Sequence, residues 1–219
     1  MDTNLDEAEV RVLGCLIEKE LATPEYYPLT LNALVNACNQ KSNRDPLMNL
    51  EEEDVVRALD SLRFKQLAVV SAEGGRVPKY RHALVEKLRL APAELSLLGE
   101  LLLRGPQTVG ELRARAERMH SFADLATVEE ALQELMERTP PLVTRLPRQS
   151  GRKEQRCAHL FAGAPEPVDE GRAVTHEAGR IKDTEGNERI ALLEQEIVAL
   201  RTEMKELRRT VEGFMARFE

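Results

Sequence analysis

The feature that most constrains this chain is an internal repeat. Leu5, Ala8, Glu9, Val10, Val12, Leu13, Gly14, Leu16 and Ile17 recur in order as Leu90, Ala93, Glu94, Leu95, Leu97, Leu98, Gly99, Leu101 and Leu102, at a constant offset of 85. Such self-similarity means that one supersecondary unit is used twice. In both copies the apolar residues recur at helical spacing, so one helix opens each unit. The second helix starts at Thr30 in one copy and Thr108 in the other, because threonine is a natural N-cap. The third carries the stripe Val55, Ala58, Leu59, Leu62, answered by Val128, Ala131, Leu132, Leu135.

After each third helix the period shortens to that of strands. Val69-Val70-Ser71 is followed by Gly74-Gly75 and a returning run from Arg76 to His82, and Leu142-Val143-Thr144 by Gly151 and a return from Glu154 to Phe161. Pro78 is expected to confine the first returning strand to a sheet edge. Three helices and a hairpin, twice over, is the order of a tandem winged helix-turn-helix protein, mainly α with α+β wings. The expected domains are residues 1–85 and 86–162.

From 163 to 187 glycine, proline and charge replace periodicity, which predicts a flexible linker. In residues 188–219 the apolar positions Ile190, Leu193, Ile197, Leu200, Met204, Leu207, Val211, Phe214 and Phe218 alternate by three and four, the seam of a coiled-coil helix. In a parallel pair Arg189 would face Glu194, Glu196 would face Arg201 and Glu203 would face Arg208, all opposite in sign. A parallel homodimer is therefore expected, with docking onto the chain's own domains as the alternative.

Composition narrows the function classes. No apolar run approaches a membrane span and the amino terminus lacks a signal core, which predicts a cytoplasmic protein with no membrane association. The three cysteines, Cys15, Cys38 and Cys157, fall inside apolar patterns and read as reduced thiols. Cys157 and His159 are the only close pair of metal-ligand types, on one face of an expected strand, and the expectation is that no metal binds. No nucleophile elbow, P-loop or dinucleotide fingerprint occurs, so no enzyme, catalytic residue or cofactor is expected.

For double-stranded DNA the charges must be read unit by unit. Residues 1–85 carry 10 basic and 14 acidic residues, 86–162 carry 12 and 11, and 163–219 carry 9 and 13. Only the second unit is not acidic. Third helices present their amino-terminal ends to DNA in this architecture, and there the sequence puts Glu51, Glu52, Glu53 and Asp54 in one copy and Glu129 and Glu130 in the other, which would repel phosphates. Basic residues collect instead at the second wing (Arg145, Arg148, Arg152, Lys153, Arg156), on the second helix of that unit (Arg113, Arg115, Arg118) and at the first wing (Arg76, Lys79, Arg81). One reading has these wings track DNA phosphates without base readout. The other has them balance nearby glutamates, while the acidic third helices bind a protein.

The connection from Cys38 to Asn49 is long for a helix-turn-helix turn. It reads either as a self-bonded loop with Asn49 capping the third helix, or as a binding surface made by Asn39, Gln40, Lys41, Asn43 and Arg44.

That loop, Asn36-Ala37-Cys38-Asn39-Gln40-Lys41-Ser42-Asn43-Arg44-Asp45-Pro46, also carries a resemblance. With Thr23-Pro24-Glu25-Tyr26-Tyr27-Pro28-Leu29, the run Leu101 to Thr108, and Gly110-Glu111-Leu112-Arg113, it resembles the bacterial YceH family across residues 5–162. The resemblance implies tandem winged helices and brings no activity or catalytic residue with it.

Overall fold

The structure, a computed structural model, describes residues 4–71, 77–148 and 154–163. The expected linker beyond residue 163, the coil from Ile190 to Phe218, and the hairpin residues Arg76, Arg152 and Lys153 lie outside the described residues.

The first half runs α1 (Glu7–Ala22), β1 (Leu29–Thr30), α2 (Leu31–Cys38), α3 (Glu52–Phe64), β2 (Ala68–Val70), β3 (Lys79–His82). A short helix α4 (Leu84–Leu88) follows, which the sequence reading did not contain. The second half runs α5 (Pro92–Arg104), α6 (Val109–Ala116), α7 (Leu125–Glu137), β4 (Val143–Arg145), β5 (Cys157–His159). The repeat is thus kept as three helices and a hairpin, a helix-rich α+β arrangement with small antiparallel sheets.

Local chemistry sets most helix starts. Asp6 accepts the Glu9 N–H at 2.8 Å while Glu9 accepts the Asp6 N–H at 2.7 Å. Thr30 accepts from Ala33 at 3.3 Å, and Thr108 and Glu111 cap each other at 2.9 and 3.2 Å, as the threonines predict. Two expected starts are corrected. Glu51, not Asn49, caps α3, its N–H bonded to Asp54 at 2.9 Å. In the second half α7 begins at Leu125 under the cap Asp124, whose carboxylate accepts the Thr127 N–H at 2.9 Å. Glu129 and Glu130 therefore sit a turn inside the helix, and its first turn carries no acidic residue.

The first sheet has the order β1-β3-β2, antiparallel, with Leu29 opposite Tyr80 and Val69 opposite Arg81. The edge expected from Pro78 is therefore corrected: β3 is central. Pro78 precedes the strand, so its missing N–H falls outside the ladder that begins at Lys79. Among the described residues of the second half β4 pairs with β5, and a bridge between Gln107 and Cys157 stands where β1 stands in the first.

Both halves lie in one compact unit, Met1–Pro167. The repeat-opening helices α1 and α5 explain this, because they bury nearly every side chain in their middle turns and pack on each other. Val12 to Ile17 are all 0% exposed apart from Gly14, a buried glycine, and α5 is buried from Glu94 to Leu103. Helices with apolar residues on more than one face belong inside a core, and the polar side chains buried with them, Glu9, Arg11, Glu18, Glu94 and Glu100, are held by hydrogen bonds or ion pairs. The approach is so close that a Cβ on Gly14 would lie 3.0 Å from Leu103, and one on Gly99 would lie 2.9 Å from Ile17. These are the repeat-related glycines, each admitting the other helix.

The long connection after α2 seals this junction. Asn39 bonds both the N–H and the carbonyl of Leu50 at 2.8 Å, and the Asp45 N–H reaches the Leu103 carbonyl at 3.0 Å. Asn43 takes a left-handed φ of 59°, which asparagine tolerates better than most residues. Arg44 is 6% exposed and pairs with the buried Glu18 at 2.5 Å. Cys15, Cys38 and Cys157 are buried free thiols.

Candidate nucleic-acid interface

The amino-terminal ends of α6 and α7 and the second hairpin converge on an open cleft of about 570 Å³. Val109 and Gly110 line it from α6, Leu125 and Glu129 from α7, and Arg145, Arg148, Glu154 and Gln155 from the hairpin. Leu125 is exposed, and nothing lies within 4 Å of where a Gly110 Cβ would be. On the other side of Leu125 a second hollow of about 660 Å³ is lined by Arg113, Glu117 and Phe122, among others.

Each candidate cation within the described residues has a definite position. Arg145 pairs with Glu129 and stays partly exposed. Arg156 donates to the Pro106 carbonyl at 2.9 Å and stands 3.7 Å from Glu111. Arg115 donates to Gln107 at 2.7 Å and stands 3.6 Å from the same Glu111. Arg113 donates to the Ala123 carbonyl at 3.0 Å, fixing the α6–α7 turn. Arg118 leaves this surface for the junction between the halves, where it binds Glu18 and, at 2.7 Å, Glu100. Lys79 and Arg81 lie on β3 in the first half, Arg81 against Glu86 at 2.5 Å. The second half therefore sets Arg145 and Arg148 on the cleft and Arg156 and Arg115 at Glu111 on α6, and the first-half cations belong to another sheet.

Electrostatics follow from this placement. Partial burial would raise the Glu111 carboxyl, but the Thr108 N–H and the charges of Arg156 and Arg115 outweigh it and hold it below its ordinary value. Glu129 is matched by Arg145. The cleft lining thus sets Arg145 and Arg148 against Glu129 and Glu154, and its guanidinium groups are the kind of donor that suits an anionic oxygen. His159 sits beside the buried Cys157 on β5, and burial alone holds its imidazole down to about 4. Among the described residues no three metal-ligand side chains cluster, and no helix is long and apolar enough to cross a membrane.

The loop residues have structural partners. Asn39 closes on Leu50, Gln40 accepts from Arg44 at 3.0 Å and from Lys19 at 3.4 Å, and Asn43 accepts from Arg104. Lys41 is exposed. The sequence reading missed Glu111, although its signal, the Thr108-x-x-Glu111 capping box, was there to find. It also missed Lys19 and Arg104, which reach Gln40 and Asn43 in a remote segment.

Comparison with known proteins places the chain. The family described as protein of unknown function, DUF480, matches residues 5–152. UPF0502 proteins of Geotalea uraniireducens, Geotalea daltonii and Geobacter sulfurreducens are 70%, 68% and 64% identical over 219 residues, the full length of both chains in each case. These matches agree with the resemblance read from the loop at Asn39 to Arg44. The chain belongs to the DUF480 (UPF0502) family of bacterial proteins.

Proposed function

We propose that each half is a winged helix, and that the second half contacts duplex DNA through backbone phosphates at the cleft between its hairpin and the starts of α6 and α7. The observation that carries this is the start of α7. Its first turn has no carboxylate, its cap Asp124 is taken up by the Thr127 N–H, it faces Arg145 and Arg148 across the cleft with Glu129 paired to Arg145, and Gly110 leaves room beside it. The third helix of the first half is unlike it, with Glu52, Glu53 and Asp54 in its first turn. An exposed pair such as Arg145 with Glu129 is worth about 1 kcal/mol at most, so an arriving phosphate draws the arginine away at small cost. Phosphate contact positions a protein without reading sequence. In this reading the protein acts by binding and not by catalysis, in the cytoplasm, and the heptad segment from Ile190 to Phe218 joins two chains in parallel.

The test is fluorescence anisotropy of a labelled duplex with the full chain and with the double variant Arg145→Gln, Arg148→Gln. The variant should bind about tenfold or more weakly, and equally so on unrelated sequences, since the lost contacts are to phosphate. Affinity equal to the parent would remove the hairpin from the interface. A second reading, a protein partner for the first half, draws on the outer face of α3, where Phe64 is 90% exposed and Val56 36%. Failure of the parent chain to bind the duplex at about 50 mM salt would favour that reading instead.

A further inference from the structure

The junction between the halves holds more positive than negative charge, and holds it in a particular order of depth. Arg44 binds Glu18 at 2.5 Å, Arg118 binds Glu18 and Glu100, and Arg104 stands 3.3 Å from Glu100 while donating to Asn43. Lys19 lies 3.5 Å from Glu18. Gln107 links this cluster to Arg115, donating to the Glu100 carbonyl at 3.1 Å and accepting from Arg115 at 2.7 Å. Glu111 then joins Arg115 to Arg156 at the edge of the hairpin.

Within this bonded set six cations meet three carboxylates. Glu18 and Glu100 have no exposed side-chain surface at all, whereas Lys19, Arg104, Arg115, Arg118 and Arg156 keep between 19% and 36% of theirs. Glu18, Glu100 and Arg44 form the floor, and the face holds five cations with the single carboxylate Glu111, 33% exposed. An approaching anion meets guanidinium and ammonium groups first. Arg104 feels the surplus: burial lowers it and, although Glu100 raises it, the neighbouring Arg115, Arg118 and Arg44 help keep it below its ordinary value, whereas Glu18 and Glu100 outweigh burial at Arg44 and Arg118 and hold those two above theirs. A chain of net charge −7 has carboxylates enough to cancel such a surplus, so its retention at one partly buried place calls for an anion from outside.

We propose that this junction is a second phosphate-binding surface, continuous with the hairpin cleft through Arg156 and Arg115, and that the backbone of a bound duplex runs from the hairpin across α6 to Lys19 and the exposed Lys41. The proposal rests on the DNA reading above and extends it from one half to the junction of both. It also assigns the loop from Asn39 to Asp45 two duties: its buried residues lock the halves together while Lys41 faces the phosphates.

The test uses the full chain carrying Lys19→Gln, Lys41→Gln and Arg115→Gln, which leaves Glu18, Arg44, Glu100 and Arg118 in place. Its thermal melting should stay close to the parent. Its affinity for a labelled duplex of about 20 base pairs should fall about tenfold or more, and the slope of log affinity against log salt should become shallower by about 2 to 3, near 0.9 for each phosphate contact removed. Lys41→Gln alone, which disturbs no bond among the described residues, should take about 1 from that slope, so the result does not depend on the triple variant folding. Parent-like affinity and slope in both variants, with the hairpin variant weakened, would overturn the junction proposal alone. No binding by the parent at about 50 mM salt would overturn both proposals. Weakening by the junction variants with a parent-like hairpin variant would support the junction and remove the hairpin.

Discussion

Replacing Glu18 by Gln should destabilise the folded chain by about 3–5 kcal/mol, the range for removing one member of a buried ion pair. Arg44 would be left with no side-chain surface in water and without its carboxylate at 2.5 Å, and Arg118 would lose one of its two partners. The pH dependence checks the same pair. Burial alone would raise the Glu18 carboxyl, yet the hydrogen bonds and charges of Arg44 and Arg118 overturn this and hold it at about 2, against an ordinary 4.5. Because the folded value lies below the unfolded one, this stabilisation is complete above about pH 4.5 and disappears as pH falls from there towards 2. A difference of that size corresponds to about 3 kcal/mol. Denaturant unfolding of the parent at pH 6, 4 and 3 should show this loss. In Glu18→Gln the part of the slope due to this carboxyl should vanish. A variant as stable as the parent, with an unchanged pH profile, would show that the junction does not depend on the pair.

Gly99→Val should cost about 1–3 kcal/mol, or more, through overpacking between α1 and α5. Its Cβ alone would stand 2.9 Å from the Ile17 methyl and 3.7 Å from the Met119 sulfur, and valine adds two further carbons. Ile17 is fully buried, so its side chain has little room to retreat. The matching change Ile17→Ala costs about 2–5 kcal/mol by itself, because it leaves a cavity. In the double variant the new valine fills part of that cavity, so the combined cost should fall below the sum of the two single costs by at least about 1 kcal/mol. Strict additivity would mean that the two positions do not meet.

How far the sequence carried the fold depends on how local each cause is. The repeat, the three helices per half and the caps at Thr30 and Thr108 were legible because each depends on side chains a turn or less apart. The start of α7 lies earlier than Glu129-Glu130 suggests, because Asp124 and Thr127 form the actual cap. The position of β3 was misread because Pro78 was taken to lie within the strand, whereas the ladder begins one residue later. The union of the halves was visible in part. Leu95 to Leu103 is too evenly apolar for a helix with one wet face, and the aligned Gly14 and Gly99 mark a close approach, but nothing in the spacing says that each faces the other's helix. The least legible feature was the junction network. Glu18 and Arg44 are 26 residues apart, Glu18 and Arg118 are 100 apart, and such pairs leave no periodic trace. Arg118 shows the consequence: it was grouped with surface cations by its neighbours in sequence, and the fold turns it inward onto two buried carboxylates.

The central claim is that the second half, with the junction behind it, holds the backbone of duplex DNA. It is tested most directly by the affinity of the full chain for a labelled random-sequence duplex at about 50 and 200 mM salt. Six or more phosphate contacts predict tight binding at the lower salt and a loss of about a thousandfold at the higher one, with little dependence on sequence. Absence of binding at 50 mM, or binding that does not respond to salt, would contradict the account.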